Sequence, residues 1–72
     1  MAESVYKVIQ LVGTSEESWE KAAAHAIKTA AESLDDLRIA EVIEQDVTVK
    51  DGKAHLYRVK LKLSFRYHHE ED

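Results

Sequence analysis

The last third of the chain, residues 54 to 67, constrains the fold more than any other segment. Every second residue from 55 to 67 is apolar or aromatic apart from His55, and from residue 58 onward the residues between them are cationic apart from one serine. Because the side chains of a strand alternate between its two faces, this pattern predicts a β-strand with one buried face. The other face carries Arg58, Lys60, Lys62 and Arg66 in a chain whose formal net charge is −4. We therefore expect an acidic segment beside this strand.

Length and composition limit what such a chain can be. Its 72 residues are few for a domain stabilised by one core, and domains of this size often need disulfides, a metal or oligomerisation. Cysteine is absent, which excludes disulfides and thiolate chemistry and fits a cytoplasmic protein. There is no apolar run of roughly 20 residues that would span a membrane, and no signal peptide pattern. The acidic balance argues against nucleic-acid binding. Oligomerisation is therefore expected.

The rest of the sequence predicts two further strands and one helix. Residues 5–12 form a strand that is apolar on both faces, so we expect a second copy of the chain to cover one of them. Thr14 and Glu17 have the spacing of a capping box, which predicts a helix from there to about Leu34. The apolar stripe of this helix contains Trp19, Ala23, Ala26, Ile27, Ala30 and Leu34. Residues 37–49 form the second strand, and residues 68–72, which include His68 and His69, form a polar tail.

The sequence Lys-Asp-Gly-Lys at residues 50–53 predicts a β-hairpin. A two-residue turn would mix the apolar set of one strand with the charged set of the other, so we favour a three-residue loop with a bulge at Gly52. This register places Glu44 opposite Arg58, with Asp46 on the same face. The order β-α-β-β with a right-handed crossover predicts an α+β fold whose three-stranded antiparallel sheet has the strand order 1-3-2.

Several segments together resemble the dodecin family. They are residues 5–15 before an alanine-rich helix, Ala40-Glu41-Val42, the Asp51-Gly52 hairpin, Tyr57-Arg58-Val59-Lys60-Leu61 and Ser64-Phe65. The match covers residues 4–67, which predicts one domain over residues 1–67. The resemblance implies a sheet wrapped around one helix and a hollow homododecamer. It also implies a non-enzymatic protein that stores or sequesters flavin.

The resemblance further implies which positions would hold the flavin. The stacking tryptophan of the family falls at Ile39, its glutamine at Arg58 and its acidic residue at Glu44. Isoleucine has no aromatic face, and an arginine cannot accept a hydrogen bond as an amide does. Stacking on an aromatic ring is worth about 1–3 kcal/mol, so flavin binding should be weakened at least tenfold. The combination of Ile39 and Arg58 is similar to a dodecin subgroup described as calcium-binding.

The charged strands allow more than one interpretation. Glu44 and Arg58 either contact a ligand at a subunit junction or form a structural ion pair. Glu41, Glu44 and Asp46 either bind a divalent cation such as Ca²⁺ through their oxygens or form a solvated or paired face. The basic residues of the third strand either attract anionic cofactors or pair with acids of neighbouring copies. Adjacent histidines at 68 and 69 are more often solvated than bound to a metal.

Catalytic patterns are missing from the sequence. There is no supported Ser/His/Asp arrangement and no glycine-rich phosphate loop, and no pair of carboxylates has an evident pocket. We therefore predict a non-enzymatic cage that sequesters a small ligand or ion, with itself and that ligand as partners and without nucleic acid or membrane contacts. Two alternatives remain open: a flavin-binding dodecin with a rearranged pocket, and a cage that acts structurally without a ligand.

Overall fold

The computed structural model describes residues 3–67, so the predictions for the tail at 68–72 lie outside the described residues. The elements are β1 (Tyr6–Ser15), α1 (Trp19–Ala31), β2 (Leu37–Lys50) and β3 (Lys53–Arg66). The strands form one antiparallel sheet in the order β1-β3-β2, and α1 covers one side of it. The predicted α+β fold, with β-α-β-β connectivity and strand order 1-3-2, is therefore confirmed.

The core lies between α1 and the central strand β3. Three helix alanines and three residues from the alternating apolar set of β3 are fully buried: Ala22, Ala26, Ala30, Val59, Leu61 and Leu63. Larger apolar residues, Trp19 and Ile27 among them, are partly buried at the edge of this cluster. The predicted stripe therefore does face the sheet. Its most buried alanine is Ala22, which lies outside the predicted set, whereas Ala23 is only partly buried. We call the helix-covered side of the sheet the inner face and the opposite side the outer face.

The helix begins later and ends earlier than the sequence pattern predicts. Its N-cap is Ser18, whose hydroxyl accepts a hydrogen bond from the Lys21 N–H at 3.0 Å. The prediction of a capping box at Thr14 is wrong, because β1 continues through Ser15 and Thr14 pairs with Arg58 in the sheet. The backbone groups of residues 13–15 are thus used by the β-ladder. At its other end the helix stops at Ala31 rather than Leu34.

The hairpin turn between β2 and β3 has two residues, so the predicted three-residue loop is wrong. Lys50 pairs with Lys53, and Asp51 and Gly52 both have positive φ values, 54° and 74°. Left-handed conformations at both central residues are those of a type I′ turn, whose twist matches the flanking strands. Asp-Gly suits this turn because both residue types tolerate positive φ.

Irregularities inside the strands correct the register that the short turn would impose. The pairing shifts between Val47 and Val49, which places Asp46 opposite Arg58 and Glu44 opposite Lys60. The predicted pairing of Glu44 with Arg58 is therefore wrong by two residues. Paired residues of antiparallel strands share a face, so the bulge keeps the charged residues together on the outer face.

A close approach between α1 and β1 depends on Gly13. A Cβ atom at this position would lie 2.3 Å from the carbonyl oxygen of Ala22 and 2.9 Å from the Cβ of Ala26. Both distances are shorter than real contacts, and the first involves backbone that cannot rotate away. Glycine at 13 and alanines on the helix therefore set the distance between helix and sheet.

We expect Gly13→Ala to lower the free energy of unfolding by about 1–3 kcal/mol, the usual cost of overpacking. Chemical denaturation followed by circular dichroism measures this loss. Gly52→Asn is the control, because a side chain there meets open space and asparagine tolerates a positive φ. An equal loss in both variants would contradict the role assigned to the helix–strand distance.

Candidate ligand site on the outer face of the sheet

The outer face carries a row of acids on β2 opposite a row of cations on β3. Asp46 lies opposite Arg58, Glu44 opposite Lys60, and Glu41 opposite Lys62. This bears out the expectation that an acidic segment lies beside the cationic face of β3. It also means that Lys60 and Lys62 face acids of their own chain.

Asp46 and Arg58 form the best-defined ion pair of this row. Arg58 Nε donates to Asp46 Oδ1 at 2.7 Å, and the second guanidinium nitrogen donates to Oδ2 at 2.9 Å. Two parallel hydrogen bonds of this kind fix both side chains relative to each other. The hydrogen bond from Arg58 lowers the pKa of Asp46 below its ordinary value, and the hydrogen bond to Asp46 raises the pKa of Arg58.

A second ion pair beside it is looser. Lys60 Nζ lies 3.5 Å from Glu44 Oε1, and both side chains are largely exposed. Together with Asp46, Arg58 and Val12 of β1, these residues line a cleft of about 190 Å³. All three strands contribute to this cleft, which we call the charged cleft. Its carboxylates and cations already neutralise one another, so a ligand must compete with an ion pair.

Ile39 lies away from the charged cleft within one chain. It pairs with Ser64, whereas Asp46 pairs with Arg58, six residues earlier along β3. At about 3.4 Å per residue the separation is roughly 20 Å. The structure therefore brings Glu44 and Arg58 to one cleft and leaves Ile39 outside it.

Around Ile39 the outer face is apolar rather than charged. Val8 on β1 and Ile39 on β2 lie on either side of Ser64, and Tyr6 lies next along β1. These three apolar side chains, which we call the apolar patch, are 43–57% exposed. The prediction that β1 is apolar on both faces holds, since Ile9 and Leu11 of the same strand pack against the core.

The predicted cation ligands follow one another along β2 and do not form a cluster. Within residues 3–67, no group of three His, Cys, Asp or Glu side chains is close enough to hold a metal ion. Glu41, Glu44 and Asp46 each lie opposite a cation of β3 instead. A cation that takes six to eight oxygens would need more ligands than this row supplies in one place.

Trp19 contacts the site from the inner face, which sequence reasoning did not detect. Its indole Nε1 donates to the backbone carbonyl oxygen of Asp46 at 2.9 Å. The same ring packs edge-to-face on Tyr57, with ring centroids 5.1 Å apart. The sequence pattern of Trp19 is that of the apolar stripe of the helix, and no spacing rule links it to a residue 27 positions later.

The family model for dodecins matches residues 5–68, so the chain belongs to the dodecin family. It is 54% identical over 63 residues to the calcium dodecin of Mycobacterium tuberculosis. The aligned region covers 88% of this chain and 89% of that protein. It is 40% identical over 62 residues to the dodecin of Thermus thermophilus, covering 86% and 90% of the two chains. Proteins of this family are small binding proteins, and the resemblance in the sequence is thereby confirmed.

Solved structures agree with this assignment. The crystal structure of the Mycobacterium tuberculosis calcium dodecin, described as having a novel calcium-binding site, has a TM-score of 0.81 at 49% identity and covers 96% of this chain and 99% of that one. The dodecin of Streptomyces coelicolor has a TM-score of 0.91 at 31% identity, covering 97% and 100%. Among residues 3–67, no helix is long and apolar enough to cross a membrane.

The ion pair predicts how stability depends on pH. Because the folded pKa of Asp46 is lowered, its contribution is present above the unfolded pKa of about 3.9 and is lost as the pH falls through the folded pKa. We expect Asp46→Asn to be less stable than the wild type at pH 7 and the difference to shrink as the pH falls below about 4.

Urea denaturation at a series of pH values measures this difference. Asp51→Asn is the matched control, because it makes the same chemical change in the hairpin turn, outside the ion pair. A difference between wild type and Asp46→Asn that stays constant from neutral to acidic pH would contradict the assignment.

Proposed function

We propose that this chain forms a hollow homododecamer that sequesters a small ligand or ion and catalyses no reaction. We further propose that the ligand is a divalent cation such as Ca²⁺ and that ordinary flavin binding is lost. The observation that supports the loss of flavin binding most directly is the bidentate pair of Arg58 with Asp46, because the resemblance places an amide of the flavin-binding members at Arg58. The 54% identity to a calcium dodecin supports a cation as the ligand. A cytoplasmic location stays a prediction from the cysteine-free sequence.

The apolar patch supports self-association. Tyr6, Val8 and Ile39 are large apolar side chains with about half of their surface exposed in the single chain. Contiguous apolar surface of this kind is typical of an interface. The core of one chain is also small, since half of its buried apolar residues are alanines. Burial of the patch against another copy would supply stability that one chain lacks.

We expect light scattering to give a mass twelve times that of the 8.2 kDa chain. Val8→Lys should reduce this mass, because it places a charge in the patch. Glu32→Lys is the control, since it adds a lysine just beyond the helix and away from the outer face. A wild-type monomer would contradict the cage itself, and a Val8→Lys dodecamer would contradict the role of the patch.

Assembly also bears on cation binding. Calcium takes six to eight oxygen ligands, and the acidic row of one chain does not gather three carboxylates at one point. In a symmetric assembly, Glu41, Glu44 and Asp46 recur from every copy, and carboxylates of neighbouring rows can meet. Glu44 is the most available of the charged-cleft acids, because its contact with Lys60 is longer than that between Asp46 and Arg58.

We expect calorimetry on the assembled protein to detect calcium binding, with Glu44→Gln weakening it by about tenfold or more. Even changes in groups that only support metal ligands typically cost 10–100-fold. Glu16→Gln, an exposed acid before the helix, is the control and should bind as the wild type does. Equal binding by all three proteins would remove Glu44 from the site, and absence of calcium binding would refute the cation proposal.

Flavin binding through a rearranged pocket is the second candidate, favoured by membership of the family. Fluorescence quenching of riboflavin and its phosphate tests it against Ile39→Trp, alone and combined with Arg58→Gln. Each restored stacking ring should add about 1–3 kcal/mol to binding, which is a gain in affinity of about 5- to 150-fold. Ile43→Trp, which adds a tryptophan elsewhere on β2, should give no gain.

The three candidates give different results in these measurements. Tight flavin binding by the wild type would contradict the account of Ile39 and Arg58. An assembled protein that binds neither calcium nor flavin would leave the structural cage as the remaining function.

A further inference from the structure

We propose that Trp19 is a positioning residue for the charged cleft: through the carbonyl of Asp46 and the ring of Tyr57 it holds β2 against β3 so that Asp46 and Arg58 pair. The inference rests on the proposed function, because it assigns a part of the same site. It concerns a residue on the opposite side of the sheet from the side chains that it positions.

The contacts of Trp19 reach both strands at the ion pair. Its Nε1 donates to the Asp46 carbonyl oxygen at 2.9 Å, and its ring meets Tyr57 edge-to-face at 5.1 Å. Tyr57 directly precedes Arg58 on β3. One side chain at the start of α1 therefore contacts Asp46 itself and the neighbour of Arg58.

β2 needs such support because it is an edge strand and irregular near Asp46. Within residues 3–67 it pairs with β3 alone, and its register shifts both between Val42 and Glu44 and between Val47 and Val49. Asp46 lies on the short regular stretch between these two irregularities. A hydrogen bond from outside the sheet fixes the position of this stretch relative to β3.

The helix gives β2 little other support at this point. A cleft of about 310 Å³ opens between helix and sheet, lined by Trp19, Glu20, Ala23, Val42, Gln45 and Val59. Val42 lies on the inner face of β2 and remains half exposed there. Trp19 at the edge of this cleft is thus the point where α1 reaches the strand that carries the acidic row.

A cation bound at Asp46 would compete with Arg58 for the same carboxylate oxygens. The guanidinium of Arg58 already uses both carboxylate oxygens of Asp46. A calcium ion needs the same oxygens, so a well-positioned ion pair weakens calcium binding at Asp46. By holding the pair together, Trp19 would set how available this carboxylate is.

Trp19→Phe tests the proposal, because phenylalanine keeps an aromatic ring against Tyr57 and removes the N–H donor. In the assembled protein, ¹³C NMR of carboxyl-labelled aspartate, assigned with Asp46→Asn, reports the protonation of Asp46. We expect the Asp46 pKa to move up toward its ordinary value in Trp19→Phe. Ile27→Val is the matched control, because Ile27 also packs at the edge of the core and its side chain has no donor for the Asp46 carbonyl. An Asp46 pKa that is unchanged in Trp19→Phe, or that moves equally in Ile27→Val, would overturn the proposal.

A second measurement needs no change at Trp19, which is the only tryptophan in the chain. Asp46→Asn should shift the emission of Trp19 although the altered side chain lies on the other face, whereas Asp51→Asn should not. Unchanged emission in Asp46→Asn would count against the proposed coupling.

Calcium calorimetry separates this inference from the proposed function. If calcium binds through Asp46, Trp19→Phe should raise the affinity about two- to tenfold, the equivalent of one hydrogen bond. Unchanged calcium affinity together with a shifted Asp46 pKa would overturn the link from Trp19 to the ligand. Absence of calcium binding by the wild type would refute the cation proposal, while the NMR result would still decide whether Trp19 positions the ion pair.

Discussion

The close packing of α1 on the sheet is the interaction on which the rest of the structure depends. Glycine at position 13 and three buried alanines let the helix backbone approach β1 and β3, and the alternating Val59, Leu61 and Leu63 complete the core. This contact is tight and also small. One helix covers the inner face only in part, so Val42 of β2 stays half exposed. The apolar patch on the outer face is also exposed, and the proposed assembly would cover it.

The charged cleft is a consequence of strand register. The two-residue Asp51-Gly52 turn alone would have placed apolar residues of β2 beside cations of β3. A bulge after Val47 restores matching faces, and Asp46 then lies opposite Arg58 rather than Tyr57. The ion pair is exposed, and exposed pairs add little to stability. Its importance for the proposed function is chemical, because both oxygens of the Asp46 carboxylate are already bound to the Arg58 guanidinium.

Under the proposed function, this arrangement would explain how one family fold supports different ligands. The backbone is that of a dodecin, and the outer face carries Ile39 and the Asp46–Arg58 ion pair at positions to which the resemblance assigns a stacking ring and an amide. An aliphatic side chain cannot stack on a planar ring, and a guanidinium bound to a carboxylate cannot accept a hydrogen bond. In the proposed assembly, carboxylates that recur through symmetry would favour a cation instead. On this proposal, the chemistry of the outer face differs while the fold is kept.

The sequence by itself determined β3, the order of the elements and the strand order, because period-two alternation and the β-α-β-β sequence leave few arrangements open. It also indicated the acidic partner of β3. The tertiary structure decided the rest. The capping box predicted at Thr14 does not form, because the β-ladder uses the same backbone groups. The position of the bulge in β2 has no signature in composition or spacing. Trp19 meets Asp46 only when helix and hairpin pack together. Local patterns report local preferences, whereas register and contacts across 27 residues depend on which backbone and side-chain partners the whole fold brings within reach.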